Sequence, residues 1–281
     1  MRVVSLISTK GGVGKTTTAA NLGGFIADAG LRVLLLDLDI QPTLSSYFEL
    51  VRQAPAGAYE LLAFNERELD RLISNTSIPQ LDLIVSNDER GQLGTLLLHA
   101  PDGRVRLRNL LPVFQAHYDL LLIDTQGARS VLLEMAVLAS DMILAPITPE
   151  ILAARELRRG TLLLLNDIAP YRHLGIEPPP LHLLINRMHP VSNDARQIEQ
   201  ALRHVFGGGL EVLRTTIPAI DAYPRAATLQ LPVHRCERRK PSGRTAPAAL
   251  ETMRALACEL FPDWTARFTG VGVSKGDSHG Q

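Results

Sequence analysis

Apolar residues fall along the chain in short, dense runs rather than in alternation. RVVSLIS at 2–8, LRVLLLDLD at 31–39, LDLIVS at 81–86, YDLLLIDT at 118–125, MILAPI at 142–147 and LHLLIN at 181–186 each set Val, Ile and Leu side by side. A strand with one wet face alternates apolar and polar positions, so unalternating runs of this length predict strands covered on both faces. Helical spacing fills the gaps: from Thr16 to Ala29, the residues Leu22, Phe25, Ile26 and Ala29 share one stripe, and Gly30 can close the helix. Strand, helix, strand in repetition predicts an α/β fold, a doubly wound and mostly parallel sheet with helices on both faces. The stretch YRHLGIEPPP at 171–180 is a link into the next strand, because the alternation resumes after it.

The last part has another texture. From His234 to Arg244 the sequence HRCERRKPSGR is polar and basic, and TAPAALETMRALACELF follows with Leu250, Met253, Leu256, Ala257, Leu260 and Phe261 at helical spacing. Thr245 is the expected N-cap of that helix, with Pro247 in its first turn. Residues 1–262 are expected to form a single domain. The end of the chain, GVGVSKGDSHGQ, is small and polar, so 263–281 is expected to be a disordered polar tail.

Bulk composition narrows the partners. The 281 residues carry 29 basic and 29 acidic side chains, so no global field draws the chain to nucleic acid or anionic lipid, and such binding would need a local patch. Cys236 and Cys258 are too few for a disulfide scaffold and lack the paired spacing of a zinc or iron-sulfur site. The chain begins without a charged leader before an apolar segment, and no apolar run approaches the roughly 20 residues that span a bilayer. The expected location is cytoplasmic.

Chemistry concentrates first at Lys10 to Thr17, KGGVGKTT, between the first predicted strand and the first helix. This is the context of a phosphate-binding loop. Gly11, Gly12 and Gly14 let the backbone of the loop, Val13 included, turn its N–H groups around phosphate oxygens. Lys15 supplies a point charge to β- and γ-phosphates, Thr16 a hydroxyl to Mg²⁺, and Thr17 reaches the α-phosphate. Asp37 and Asp39 end the second strand, where ligands of open α/β sheets bind. Asp124 follows four apolar residues at another strand end, as a carboxylate serving Mg²⁺ does.

One detail departs from the ordinary loop pattern. Thr9 stands where a Gly is usual, and a second lysine, Lys10, opens the loop. KGGVGKTT resembles the deviant Walker-A motif of the ParA and MinD superfamily. That resemblance implies that Lys10 reaches across an ATP-sandwich homodimer to the partner's phosphates. It implies too that Asp39, in a segment like DxDxQ, positions water or acts as base, with Asp37 structural, so that hydrolysis depends on Lys10, Lys15 and Asp39. Asn186, at the end of LLIN, matches a position that superfamily members turn toward adenine. ParA relatives commonly read DTPP where this chain reads DTQG from Asp124 to Gly127, which puts the geometry of the following switch loop in question. The run DTQGARSVLLEMAVLASD resembles Soj-like ParA proteins of integrative mobile elements.

Missing features separate the relatives. Iron-sulfur members need cluster cysteines that Cys236 and Cys258 do not match, tyrosine kinases need a terminal tyrosine cluster, and MinD-type factors need a C-terminal amphipathic helix for the membrane. The resemblance therefore points to a DNA-partitioning ATPase using ATP and Mg²⁺. Its ATP-bound dimer would bind DNA without sequence preference, associate with the nucleoid, and be released when a ParB-like partner stimulates hydrolysis. Arg235, Arg238, Arg239, Lys240 and Arg244 against Glu237 are the expected DNA contacts. Arg155, Arg158 and Arg159 form a second candidate. Two alternatives remain, a MinD-like or pole-localising factor that does not use DNA, and a nucleotide-binding scaffold that scarcely hydrolyses.

Overall fold

A computed structural model of the chain describes all residues except Thr9, 190–192, 207–210 and 273–281. Its sheet is built from β1 (Arg2–Leu6), β2 (Val33–Asp37), β3 (Leu50–Arg52), β4 (Ser74–Thr76), β5 (Leu81–Ile84), β6 (Leu120–Asp124), β7 (Met142–Ile147), β8 (Leu181–Ile185) and β9 (Glu211–Val212). The order is β3-β4-β5-β2-β6-β1-β7-β8-β9. From β5 to β9 all neighbours are parallel, and β3 and β4 add an antiparallel edge.

The dense apolar runs are strands because consecutive residues serve different cores. Val33 and Leu35 of β2, with Leu120 and Leu122 of β6, enter the apolar layer under helix α1 (Lys15–Asp28). Leu34, Leu36, Leu121 and Ile123 enter the opposite layer, against the helix Val131–Leu138. Successive side chains of a strand point to opposite faces, so a sheet covered on both sides needs apolar residues at every position. All six runs are strands. β3, β4 and β9 were not anticipated, for at two or three residues each they are too short to show a pattern, and the Ser74-Asn75-Thr76 of β4 is polar throughout.

Two expectations at the C-terminal end need correction. The last long helix is Ala249–Leu260, with its N-cap at Ala248, three residues beyond the expected Thr245. Carboxylates fix its start: Glu237 accepts from the Ala249 N–H at 3.0 Å and Glu251 from the Ala248 N–H at 3.1 Å. Residues 263–272, expected in a disordered tail, are folded onto the domain. Phe268 is fully buried with its ring 5.7 Å from that of Phe25, and the Arg254 guanidinium donates to the Phe268 and Val271 carbonyls at 3.2 and 2.7 Å. Arg2 stacks on Trp264 at 4.9 Å. Burying Trp264 and Phe268 is worth more than the polar composition around them suggests. The rest of the expected tail, 273–281, lies outside the described residues.

Candidate functional site

The parallel strands place their C-terminal ends together. β1 lies between β6 and β7, and Leu6 is in register with Asp124. The chain leaving β1 therefore turns into the loop beside Asp124 and enters α1. Gly12 and Gly14 have φ of 75° and 93°, a region that favours glycine. Gly14 is fixed a second way, since a Cβ there would stand 2.1 Å from the Asn186 side-chain nitrogen. Gly11 has no neighbour that a Cβ would meet. At that contact the demand for glycine falls on Gly127, whose Cβ would be 2.9 Å from the Gly11 nitrogen. No side chain caps α1 at Gly14, so its first-turn N–H groups remain the orphan donors that helix starts offer to phosphate. Lys15 opens the helix and is buried.

Asp124 lies beneath the loop, fully buried. Its Oδ2 accepts from the Thr16 hydroxyl at 2.6 Å, while Oδ1 is buried with no partner among the described residues. Burial pushes its pKa up to about 7, with the Thr16 hydrogen bond opposing and the Asp37 charge adding to the rise. An unpartnered carboxylate oxygen beside a threonine hydroxyl fits a hard cation such as Mg²⁺, which takes one or two protein oxygens and completes its shell from phosphate and water.

Asp37 is in register with Asp124 on the adjacent strand. Its Oδ2 accepts from the Ser45 N–H and hydroxyl, both at 2.8 Å, and its Oδ1 from the Asp39 N–H at 3.0 Å. Burial raises its pKa to about 6 against those bonds. Asp37 thus fixes the turn that presents Asp39. Ser86 holds the same turn, its N–H on the Ser45 hydroxyl at 2.8 Å and its hydroxyl on the Asp39 carbonyl at 2.6 Å. Neither serine carries a motif that marks it in the sequence. Asp39 itself is only half-buried, with one carboxylate oxygen on the Gln41 N–H at 3.0 Å.

Lys10 projects to solvent, where its ammonium pairs with Glu150 at 3.2 Å. Asn186 meets the loop itself. Its side-chain nitrogen donates to the Val13 carbonyl at 2.7 Å and its oxygen accepts from the Arg187 N–H at 2.8 Å, with Arg187 held at φ 56°. A cavity of about 480 Å³ opens on this side, lined among others by Gly14, Thr17, Thr18, Asn186, Pro218 and Tyr223. The wall from Ile217 to Tyr223 had no sequence signal. Thr17 thus lines the cavity while the Thr16 hydroxyl turns to Asp124, so two adjacent residues at the end of the loop serve opposite sides.

The basic segment is less free than its composition implies. Arg235 forms a two-pronged pair with Asp28 at the end of α1, at 2.7 and 2.5 Å, and His234 reaches the same carboxylate at 2.7 Å. Burial alone raises the Asp28 pKa, but the bonds from Arg235 and His234 bring it down to about 2. Arg244 pairs with Glu237 at 2.8 and 2.6 Å and donates to the Pro247 carbonyl at 2.9 Å. Two of the five expected DNA contacts are therefore committed within the fold. Arg238, Arg239 and Lys240 are exposed and make no ion pair among the described residues. Arg155 and Arg159 are exposed on the helix Ile151–Ile168, and the Arg158 side chain lies outside the described residues. Among the described residues no helix is long and apolar enough to cross a membrane.

Residues 1–169 match the family described as "AAA domain". The chain is 28% identical over 219 residues to the sporulation initiation inhibitor protein Soj of Bacillus subtilis, covering 77% of this chain and 84% of that one. It is 34% identical over 160 residues to the chromosome partitioning protein ParA of Caulobacter vibrioides, covering 56% and 60%. The fold matches that of a Cyanothece McdA variant in complex with ATP, with a TM-score of 0.72 at 23% identity, over 96% of this chain and 95% of that one.

Proposed function

The chain belongs to the AAA-domain family, in its ParA/MinD-type branch of P-loop ATPases, and we propose that it is a DNA-partitioning switch driven by Mg²⁺-dependent ATP hydrolysis. The observation that carries the ATPase reading is the pair formed by Thr16 and the half-satisfied Asp124 under a glycine loop. Lys15 and the orphan amides of α1 bind the phosphates, and the base lies in the cavity beside Thr17 and Asn186. Thr16 and Asp124 would hold Mg²⁺, which supplies charge neutralisation between β- and γ-phosphates. Asp39 orients a water for attack on the γ-phosphorus. As the water oxygen bonds to phosphorus, the bond to the β–γ bridging oxygen breaks, ADP leaves with that electron pair, and the water proton passes to Asp39.

Lys10 serves a second subunit: leaving Glu150, it reaches the phosphates of the partner in an ATP-bound homodimer. That dimer binds DNA phosphates through Arg238, Arg239 and Lys240, and a ParB-like partner stimulates the hydrolysis that releases it. Its site of action is the nucleoid in the cytoplasm. The likeness to a chromosome partitioning protein supports this reading.

Retention of the ATP-bound Asp39→Ala protein on unrelated duplexes, across a salt series, tests it. Three phosphate contacts give a log-log slope of about −2.7 per protomer and about −5 for a dimer placing both segments on one duplex. Arg238→Ala with Arg239→Ala should remove up to about 3.6 of the dimer's slope and leave ATP binding intact. An unchanged slope would move the DNA contact to Arg155 and Arg159. Retention on anionic liposomes instead of DNA would replace partitioning with protein positioning.

A further inference from the structure

Gln126 sits where the family resemblance is broken, in the DTQG segment that follows β6. Asp37 and Asp124 are in register on adjacent parallel strands. Asp39 and Gln126 are therefore equivalent positions, each two residues beyond its strand end. The two turns are tied together: the Leu38 N–H donates to the Asp124 carbonyl at 2.9 Å. On the other side the Thr125 hydroxyl donates to the Leu6 carbonyl at 2.8 Å, anchoring the turn to the strand that feeds the phosphate loop. Gly127 then packs directly on Lys10 and Gly11, leaving no room for a Cβ. Gln126 is thus held between a strand end and the opening of the loop, half-buried, and its carboxamide makes no hydrogen bond among the described residues.

Its place along the nucleotide follows from the two sides of the first turn of α1. The base cavity opens beside Thr17 and Thr18, and the Thr16–Asp124 pair lies on the other side of the same helix turn, where Thr16 and Asp124 would hold a cation that neutralises the phosphates beyond the base. Gln126, two residues past Asp124, belongs to the γ-phosphate end, as Asp39 does.

We propose that Gln126 is a second water-orienting residue for ATP hydrolysis, working with Asp39 across the line of attack. A carboxamide suits this task because it accepts and donates at once. Its oxygen takes one hydrogen of the attacking water and its nitrogen donates to a γ-phosphate oxygen, so water and phosphorus are held in line while Asp39 receives the departing proton. Glutamate in the same place would accept but not donate, and would repel the phosphate. The inference rests on the ATPase reading above and is independent of DNA.

The test compares wild type with Gln126→Ala and Gln126→Glu, without DNA, in single-turnover hydrolysis and in binding of three probes: ADP, a non-hydrolysable ATP analogue, and ADP with aluminium fluoride and Mg²⁺. Both variants should bind ADP as wild type does, and Gln126→Ala should also hold the ATP analogue to within about threefold. Turnover should fall about 10²-fold in each, and affinity for the aluminium fluoride complex should fall by a similar factor, because that probe places a ligand where the water attacks. Gln126→Ala hydrolysing at the wild-type rate with undiminished aluminium fluoride binding overturns the proposal alone. So does an equal loss of all three probes, which is the signature of a structural role. A wild-type protein that neither hydrolyses ATP nor binds the aluminium fluoride complex overturns the ATPase reading together with it.

Discussion

Replacing Asp124 by Asn should make the nucleotide-free protein more stable at alkaline pH while removing its response to Mg²⁺. The wild-type carboxyl is buried with one oxygen unpartnered, and burial raises its pKa from 3.8 to about 7. A carboxyl whose folded pKa exceeds its unfolded one favours the fold only in its protonated form. Below about pH 4 both states are protonated and nothing is lost; the penalty grows as pH climbs toward 7 and is complete above it. At pH 8 the difference between 3.8 and about 7 corresponds to about 4 kcal/mol. Asn escapes that charge penalty but still leaves one neutral polar atom unpartnered, at about 1–3 kcal/mol. The net gain is about 2 kcal/mol, or about 4–8 °C in melting temperature for a domain of this size.

Thermal unfolding in chelator at pH 5 and pH 8, repeated with Mg²⁺ and ATP, measures all of this. Wild type without metal should melt lower at pH 8 than at pH 5. Asp124→Asn should depend less steeply on pH, keeping the part that Asp37 contributes through its own pKa of about 6. Mg²⁺ with ATP should raise the melting temperature of wild type and leave the variant near its ATP-only value. An apo variant that melts at or below wild type at pH 8, yet still responds to Mg²⁺, would refute the reasoning, since the carboxylate would then be neither uncompensated nor a metal ligand.

Other substitutions separate the remaining roles. Lys15→Ala should abolish ATP binding or nearly so in calorimetry, because backbone dipoles and Mg²⁺ alone would face the phosphate charge; wild-type affinity would remove the phosphate-loop assignment. Lys10→Ala should keep monomer ATP affinity and lose ATP-dependent dimerisation in sedimentation, and a variant that still dimerises and hydrolyses normally would leave Lys10 with only its Glu150 contact. Asp39→Ala should bind ATP and Mg²⁺ but turn over about 10²–10⁴ times more slowly; turnover near wild type would pass the role to Asp37 first.

What the sequence made legible depended on how local the determining interaction was. The six strands of the central sheet were legible because two-sided burial writes itself into consecutive apolar residues, as in Val33 to Leu36. The glycine loop was legible because left-handed backbone at Gly12 and Gly14 admits few residues. The Ser45–Ser86 clamp on Asp37 and Asp39 was not, since it joins residues 41 positions apart through hydroxyls that any loop might carry. Glu237 was counted as one charge among five cations, although its carboxylate caps the helix at Ala249 and holds Arg244. The aromatic pair Trp264 and Phe268 was hidden by the polar residues that follow it.

The basic segment shows what counting charges leaves out, and also what pairing adds. Of its five cations, Arg235 and Arg244 spend their guanidinium groups inside the fold, which lowers the number available to phosphate but fixes where the other three stand. The anchors are on α1. The Val233 N–H donates to Asn21, a fully buried residue in the middle of that helix, at 2.6 Å, and Asp28 at its end holds Arg235 and His234. Asn21 in turn donates to the Thr17 carbonyl at 2.7 Å. The helix that begins at Lys15 and carries Thr16 and Thr17 therefore also carries, about two and three and a half turns from its start, both attachments of the stretch of chain leading to Arg238, Arg239 and Lys240. On the proposed DNA reading, three exposed cations on a loop fastened in this way would lose less conformational freedom on meeting a duplex than five on a free one, so the smaller charge would be partly offset by its being held in place.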